Sequence, residues 1–118
     1  MAAPNLRSPQ TVTGKTAVAL VSTSNAAVLT NAAGSGKALK ITTVRGANIT
    51  ASAATINVSH YRSTTHRYLV KASSVDAGEA LIVTSREDYF YLEEGDALYA
   101  QASVASSFDL IVGYEDIS

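Results

Sequence analysis

His60 and His66 flank the polar pair Ser63-Thr64. Imidazole is both a metal ligand and a proton carrier near neutral pH, so two histidines across a tight turn are the first chemistry to weigh. A useful metal site needs a third or fourth ligand, and no Asp or Glu occurs between Asn48 and Val75. The charges close by are Arg62, Arg67 and Lys71, which repel a cation. No metal ligand is assigned. With Tyr61 and Tyr68, the same stretch suits contact with an acidic partner surface or an anion, against the plainer reading of a solvated hairpin.

Gly34-Ser35-Gly36-Lys37 invites comparison with a phosphate-binding loop. That motif needs an earlier glycine where this chain has Asn31, and a hydroxyl residue where it has Ala38. Nor does a helix follow to turn its amides towards an anion. The acids gather late, at Glu87-Asp88, Glu93-Glu94, Asp96, Asp109 and Glu115-Asp116, and read as charged turns and a solvated end. No Gly-x-Ser-x-Gly elbow exposes a serine, and zero cysteine removes thiolate catalysis and cysteine-bound metal together. Catalytic residues and cofactors are therefore expected to be none, and the chain to act by binding rather than as an enzyme. Tyr89-Phe90-Tyr91 is the densest aromatic patch; on a strand the tyrosines share one face and Phe90 takes the other. The candidate interface residues are Tyr61, Arg62, Arg67, Tyr89 and Tyr91, with Leu6 and Arg7 from the N-terminal segment.

The elements that position these residues are short strands. Val18 and Leu20 alternate with small residues, and Ala26 to Leu29 forms a second run. Leu39, Ile41 and Thr43, then Ile56 and Val58, then Tyr68 and Val70, recur at period two. Leu81 to Val83 and Tyr89 to Leu92 are apolar runs of strand length, and Leu98, Ala100, Ala102 and Phe108, Leu110, Val112, Tyr114 alternate most clearly. Such alternation with β-branched and aromatic residues is the strand signal. Turn chemistry separates the runs at Gly46-Ala47-Asn48, Ser63-Thr64, Asp76-Ala77-Gly78, Glu94-Gly95-Asp96 and Ala105-Ser106-Ser107. Helix competes mainly at Ala17 to Val21, where flanking Thr, Ser and Gly14 oppose it. The expected fold is all-β: an antiparallel, jelly-roll-like sandwich of about eight or nine short strands.

The 118 residues make one domain. Residues 1–14 hold both prolines and read as an extended N-terminal arm, leaving 15–118 as the sandwich. The charged fraction is 16%, below the usual quarter or so, with Ala, Ser and Thr making up the difference. That composition suits either packing against other subunits or filling a thin two-layer core. A net charge of −1 provides no field towards nucleic acid or anionic lipid. No run approaches the roughly 18 apolar residues of a membrane-spanning helix, and the N-terminus does not read as a signal peptide.

Roughly Leu39 to Ile117 resembles a recurring class of small β-sandwich virion proteins of tailed bacteriophages. The carriers are Leu39-Lys40-Ile41-Thr42-Thr43-Val44-Arg45 with Ala47-Asn48, Ile56-Asn57-Val58-Ser59, Tyr68-Leu69-Val70, and Val75-Asp76-Ala77-Gly78-Glu79-Ala80-Leu81. The most characteristic stretch is Tyr91-Leu92-Glu93-Glu94-Gly95-Asp96-Ala97-Leu98-Tyr99-Ala100, with Gly113-Tyr114-Glu115-Asp116-Ile117 closing the chain. Asp76 stands where the class often has proline. The resemblance implies a virion structural protein assembled in the host cytoplasm, first of all a capsid decoration or cement protein present in many copies. Its partners would be the major capsid protein or neck and tail proteins, with self-association, trimeric by analogy, and no nucleic acid or membrane bound. A neck or tail component is the nearer alternative. A carbohydrate-binding module for host attachment is the more distant one, weakened by the absence of tryptophan.

Overall fold

The computed structural model describes residues 11–118. Nine strands follow in order: β1 (Val12–Leu20), β2 (Ala26–Thr30), β3 (Ala38–Asn48), β4 (Ala54–Arg62), β5 (Thr65–Val75), β6 (Ala80–Thr84), β7 (Phe90–Leu92), β8 (Ala97–Ala102) and β9 (Phe108–Ile117). A 3-10 turn, Arg86–Asp88, separates β6 from β7. Each apolar run in the sequence lies on its own strand. Ala17 to Leu20 is strand, as the neighbouring threonines and Gly14 require.

The strands form two antiparallel sheets. One has the order β1-β9-β3-β6, with β7 also on β3; the other is β2-β8-β4-β5. β6 pairs with Val44 to Ala47 and β7 with Leu39 to Ile41, so the two lie end to end along one edge of β3. Counted as a single interrupted strand, they complete two four-stranded sheets in jelly-roll order. The expected sandwich is the observed one.

Between the sheets lies a core to which both contribute. Ile41 and Val44 of β3, Ile56 and Val58 of β4, Leu98 of β8 and Phe108, Leu110 and Val112 of β9 are all buried. In β9 the alternation is plain: Phe108, Leu110 and Val112 point inward while Asp109 and Ile111 point out. Truncating a ring such as Phe108 would remove roughly 3–5 kcal/mol, a large share of a small domain's stability.

Two buried asparagines hold loops where the strand ladders stop. Asn48 Nδ2 donates to the carbonyls of Ser52 and Val75, and its Oδ1 accepts from the Thr50 amide and hydroxyl. Asn31 Nδ2 donates to the carbonyls of Lys37 and Leu92. No buried side-chain polar atom among the described residues lacks a partner, as an ordered interior demands. Just before β1, the Thr11 amide donates to the Ser118 carbonyl at 3.0 Å and the Ser118 amide donates back at 2.9 Å.

Two expectations change, and one feature of β1 is new. Val12, Thr13 and Gly14, assigned to the arm, belong to β1, where they pair with Ile117, Asp116 and Glu115. Gly46 does not turn the chain; β3 runs straight through it. A Cβ there would stand 3.3 Å from Ile56 Cδ1, so the glycine makes room for the opposite sheet. In β1 the faces are the reverse of what size suggests. Ala17 and Ala19 face inward, while Val18 and Leu20 are 73% and 56% exposed.

Candidate functional site

The β4–β5 hairpin turns on Ser63 and Thr64, whose φ angles of 51° and 62° describe the left-handed two-residue turn that matches strand twist. This fixes the register Tyr61↔His66 and His60↔Arg67. Residues directly opposite share a face, so the two histidines lie on opposite sides of the sheet. They cannot share a metal ion. Among the described residues no three His, Asp or Glu side chains gather as a metal site.

On the outer side, Tyr61, His66 and Tyr99 form a closed triangle of rings with centroids 4.7, 4.8 and 4.9 Å apart. They come from three adjacent strands, β4, β5 and β8, and each backbone ladder sets one side of the triangle. Ser59 Oγ and His66 Nδ1 share a hydrogen bond at 3.0 Å. Ser59 is only 1% exposed, so its hydroxyl fixes the imidazole and is not open to a substrate. Tyr68 extends the patch, 46% exposed, with Lys71 Nζ 5.0 Å from its ring centroid. Preformed rings with polar tips, beside a cation, lose little side-chain freedom when a partner covers them.

The inner side of the same hairpin carries a different cluster. Arg62 grips Asp96 with two parallel hydrogen bonds, Nε to Oδ1 at 2.9 Å and Nη2 to Oδ2 at 2.6 Å. Asp96 also accepts from the Glu93 amide at 2.9 Å and lies 3.3 Å from His60 Nε2. Burial alone would raise the Asp96 carboxyl; the Arg62 hydrogen bonds, the Glu93 amide and the nearby positive charge outweigh it and hold the group below the ordinary carboxylate range. Arg62 is shifted upward, chiefly by its hydrogen bonds to Asp96, so both partners stay charged. A fork of this kind closes one end of the sandwich. Arg62 is thus paired with an acid of its own chain, with half of its side chain still exposed.

The other candidates are spread apart. Arg67 shares the His60 side of the hairpin, away from the ring triangle, and is exposed. Tyr91 of β7 lies on the other sheet and Tyr89 just before that strand, the two rings edge to face at 5.9 Å, with Lys40 Nζ 4.3 Å from the Tyr89 centroid. Phe90 faces the core and meets His60 edge-on at 6.0 Å. Leu6 and Arg7 lie outside the described residues. Tyr99 escaped notice as a candidate, although the alternation of Leu98, Ala100 and Ala102 already turns it outward.

The Gly34-Ser35-Gly36-Lys37 loop is engaged within the chain. Its Gly36 amide donates to Glu94 Oε2 at 3.2 Å, and Lys37 Nζ lies 3.1 Å from Asp116 Oδ2. Lys15 Nζ reaches the same oxygen at 3.0 Å. Burial opposes the Asp116 charge, and the two lysines prevail, lowering its pKa. No protein-family model, curated protein or solved structure matches this chain.

Proposed function

We propose that this protein is a structural component of a phage virion, a decoration or cement protein that binds the particle's protein shell in many copies. The observation that carries the reading is the outer face of β2-β8-β4-β5. There the Tyr61–His66–Tyr99 triangle, exposed Tyr68 and Lys71 make a rigid aromatic patch with a cationic margin. Clustered, preordered tyrosine is the composition of a protein-binding hot spot. Two further supports are the jelly-roll order, an architecture that viral capsid domains use, and the resemblance of the segments from Leu39 to Ile117 to small phage sandwich proteins. Fold alone does not set function, so the weight rests on the surface.

If the proposal holds, the protein is carried by a phage, and immunogold electron microscopy of that phage's virions, with antibody against the recombinant protein, tests this directly. Label over the heads in many copies is the expected result. Label confined to neck or tail would move the protein to that position, and particles without label would overturn the virion reading. When purified protein is bound to shells lacking it, Y61A/Y99A should lower occupancy at least about tenfold, as expected when two anchors are lost.

A further inference from the structure

The outer face of β1-β9-β3-β6 is built to be covered. Val18 stands opposite Ile111, Ile111 opposite Arg45, and Arg45 opposite Ile82, forming one row across four strands. Val18, Ile111 and Ile82 are 73%, 42% and 58% exposed, and Leu20 adds a fourth large aliphatic side chain in the next row. Strands with one wet face normally put polar residues there and bulk inside. β1 does the reverse, with its alanines inward.

Two charges in this apolar field identify the occupant. Arg45 and Asp109 both project from the face, and neither makes an ion pair or side-chain hydrogen bond among the described residues. They occupy neighbouring strands two residues out of register, since Arg45 pairs with Ile111 and Asp109 with Ala47. A twofold axis lying in the plane of the face and passing between them sets Arg45 of each copy on Asp109 of the other. The same axis brings Ile111 close to its own counterpart. Such a surface is self-complementary, the requirement for an isologous pair. The geometry points to a dimer of this chain formed face to face through Val18, Leu20, Arg45, Ile82, Asp109 and Ile111.

The size of the face sets its strength. Four strands at about 4.8 Å spacing and about 30 Å of strand length offer roughly 550–600 Å² per copy, which in total just clears the roughly 1,000 Å² of a specific interface. The dimer is therefore reversible and concentration-dependent. It leaves the ring-bearing face of both copies free, and it does not depend on which particle the protein joins.

Sedimentation equilibrium over a concentration series tests it with four proteins. Wild type should rise from the mass of one 12.3 kDa chain towards twice that mass. R45D and D109R should each weaken association at least about tenfold, because each places like charges in contact across the axis. The swapped R45D/D109R should associate again as wild type does. All three variants carry changes at exposed positions, and circular dichroism matching wild type would show intact folds. A wild type that stays monomeric, an assembly of three chains, or a swapped variant no better than the single reversals would each overturn the proposal.

Discussion

At the scale of the residue, acid is the informative variable. Asp116 is 8% exposed and held by Lys15 and Lys37, and Asp96 is held by Arg62 and the Glu93 amide. Both carboxyls titrate lower in the folded chain than the ordinary value of 3.8. Below that value the unfolded chain takes up protons first, so stability rises with pH through this window and is lost as pH falls through the depressed values. Above it the contribution is complete. Thermal melts between about pH 2 and 6 should show the wild-type midpoint falling below pH 4. D116N should start lower at neutral pH and fall less steeply in acid. An identical acid slope in the two proteins would show that Asp116 does not contribute. These pairs were not legible in the sequence: Arg62 and Asp96 are 34 positions apart, and only the closing of the fold brings them within reach.

At the scale of the element, the strands themselves were legible, because alternating apolar and polar residues can bury one side only in an extended conformation. Which side goes inward was less so. In β9 the inward residues Phe108, Leu110 and Val112 are also the bulkier, whereas in β1 bulk points out, and local sequence carries no mark of what lies across the sheet. Gly46 misled for a related reason. Glycine serves equally as a turn former and as a gap for a neighbour, and only the Ile56 methyl 3.3 Å away distinguishes the two. G46V should accordingly destabilise by roughly 1–3 kcal/mol through overpacking of a filled core. Urea denaturation measures the change. A value within a few tenths of wild type would mean that Ile56 simply moves aside.

At the scale of the whole molecule, the last strand is the keystone. β9 lies between β1 and β3 and pairs with both along almost its full length. The first sheet is incomplete until residues about a hundred positions apart have met, so the fold depends on long-range pairing and forms slowly compared with helical domains of this size. The paired amides of Thr11 and Ser118 carry a consequence for engineering. Where two points of a chain already touch, the order of the segments between them is a matter of covalent convenience. A circular permutant with Ser118 tied to Thr11 by a short Gly-Ser bridge, and opened between Ser63 and Thr64, would retain every strand ladder of the sandwich. It should give the wild-type circular dichroism spectrum and a single cooperative melt. A permutant that emerged unfolded would assign the uncut β4–β5 turn an essential part in folding. A permutant that folds would let foreign peptides be displayed from the hairpin tip.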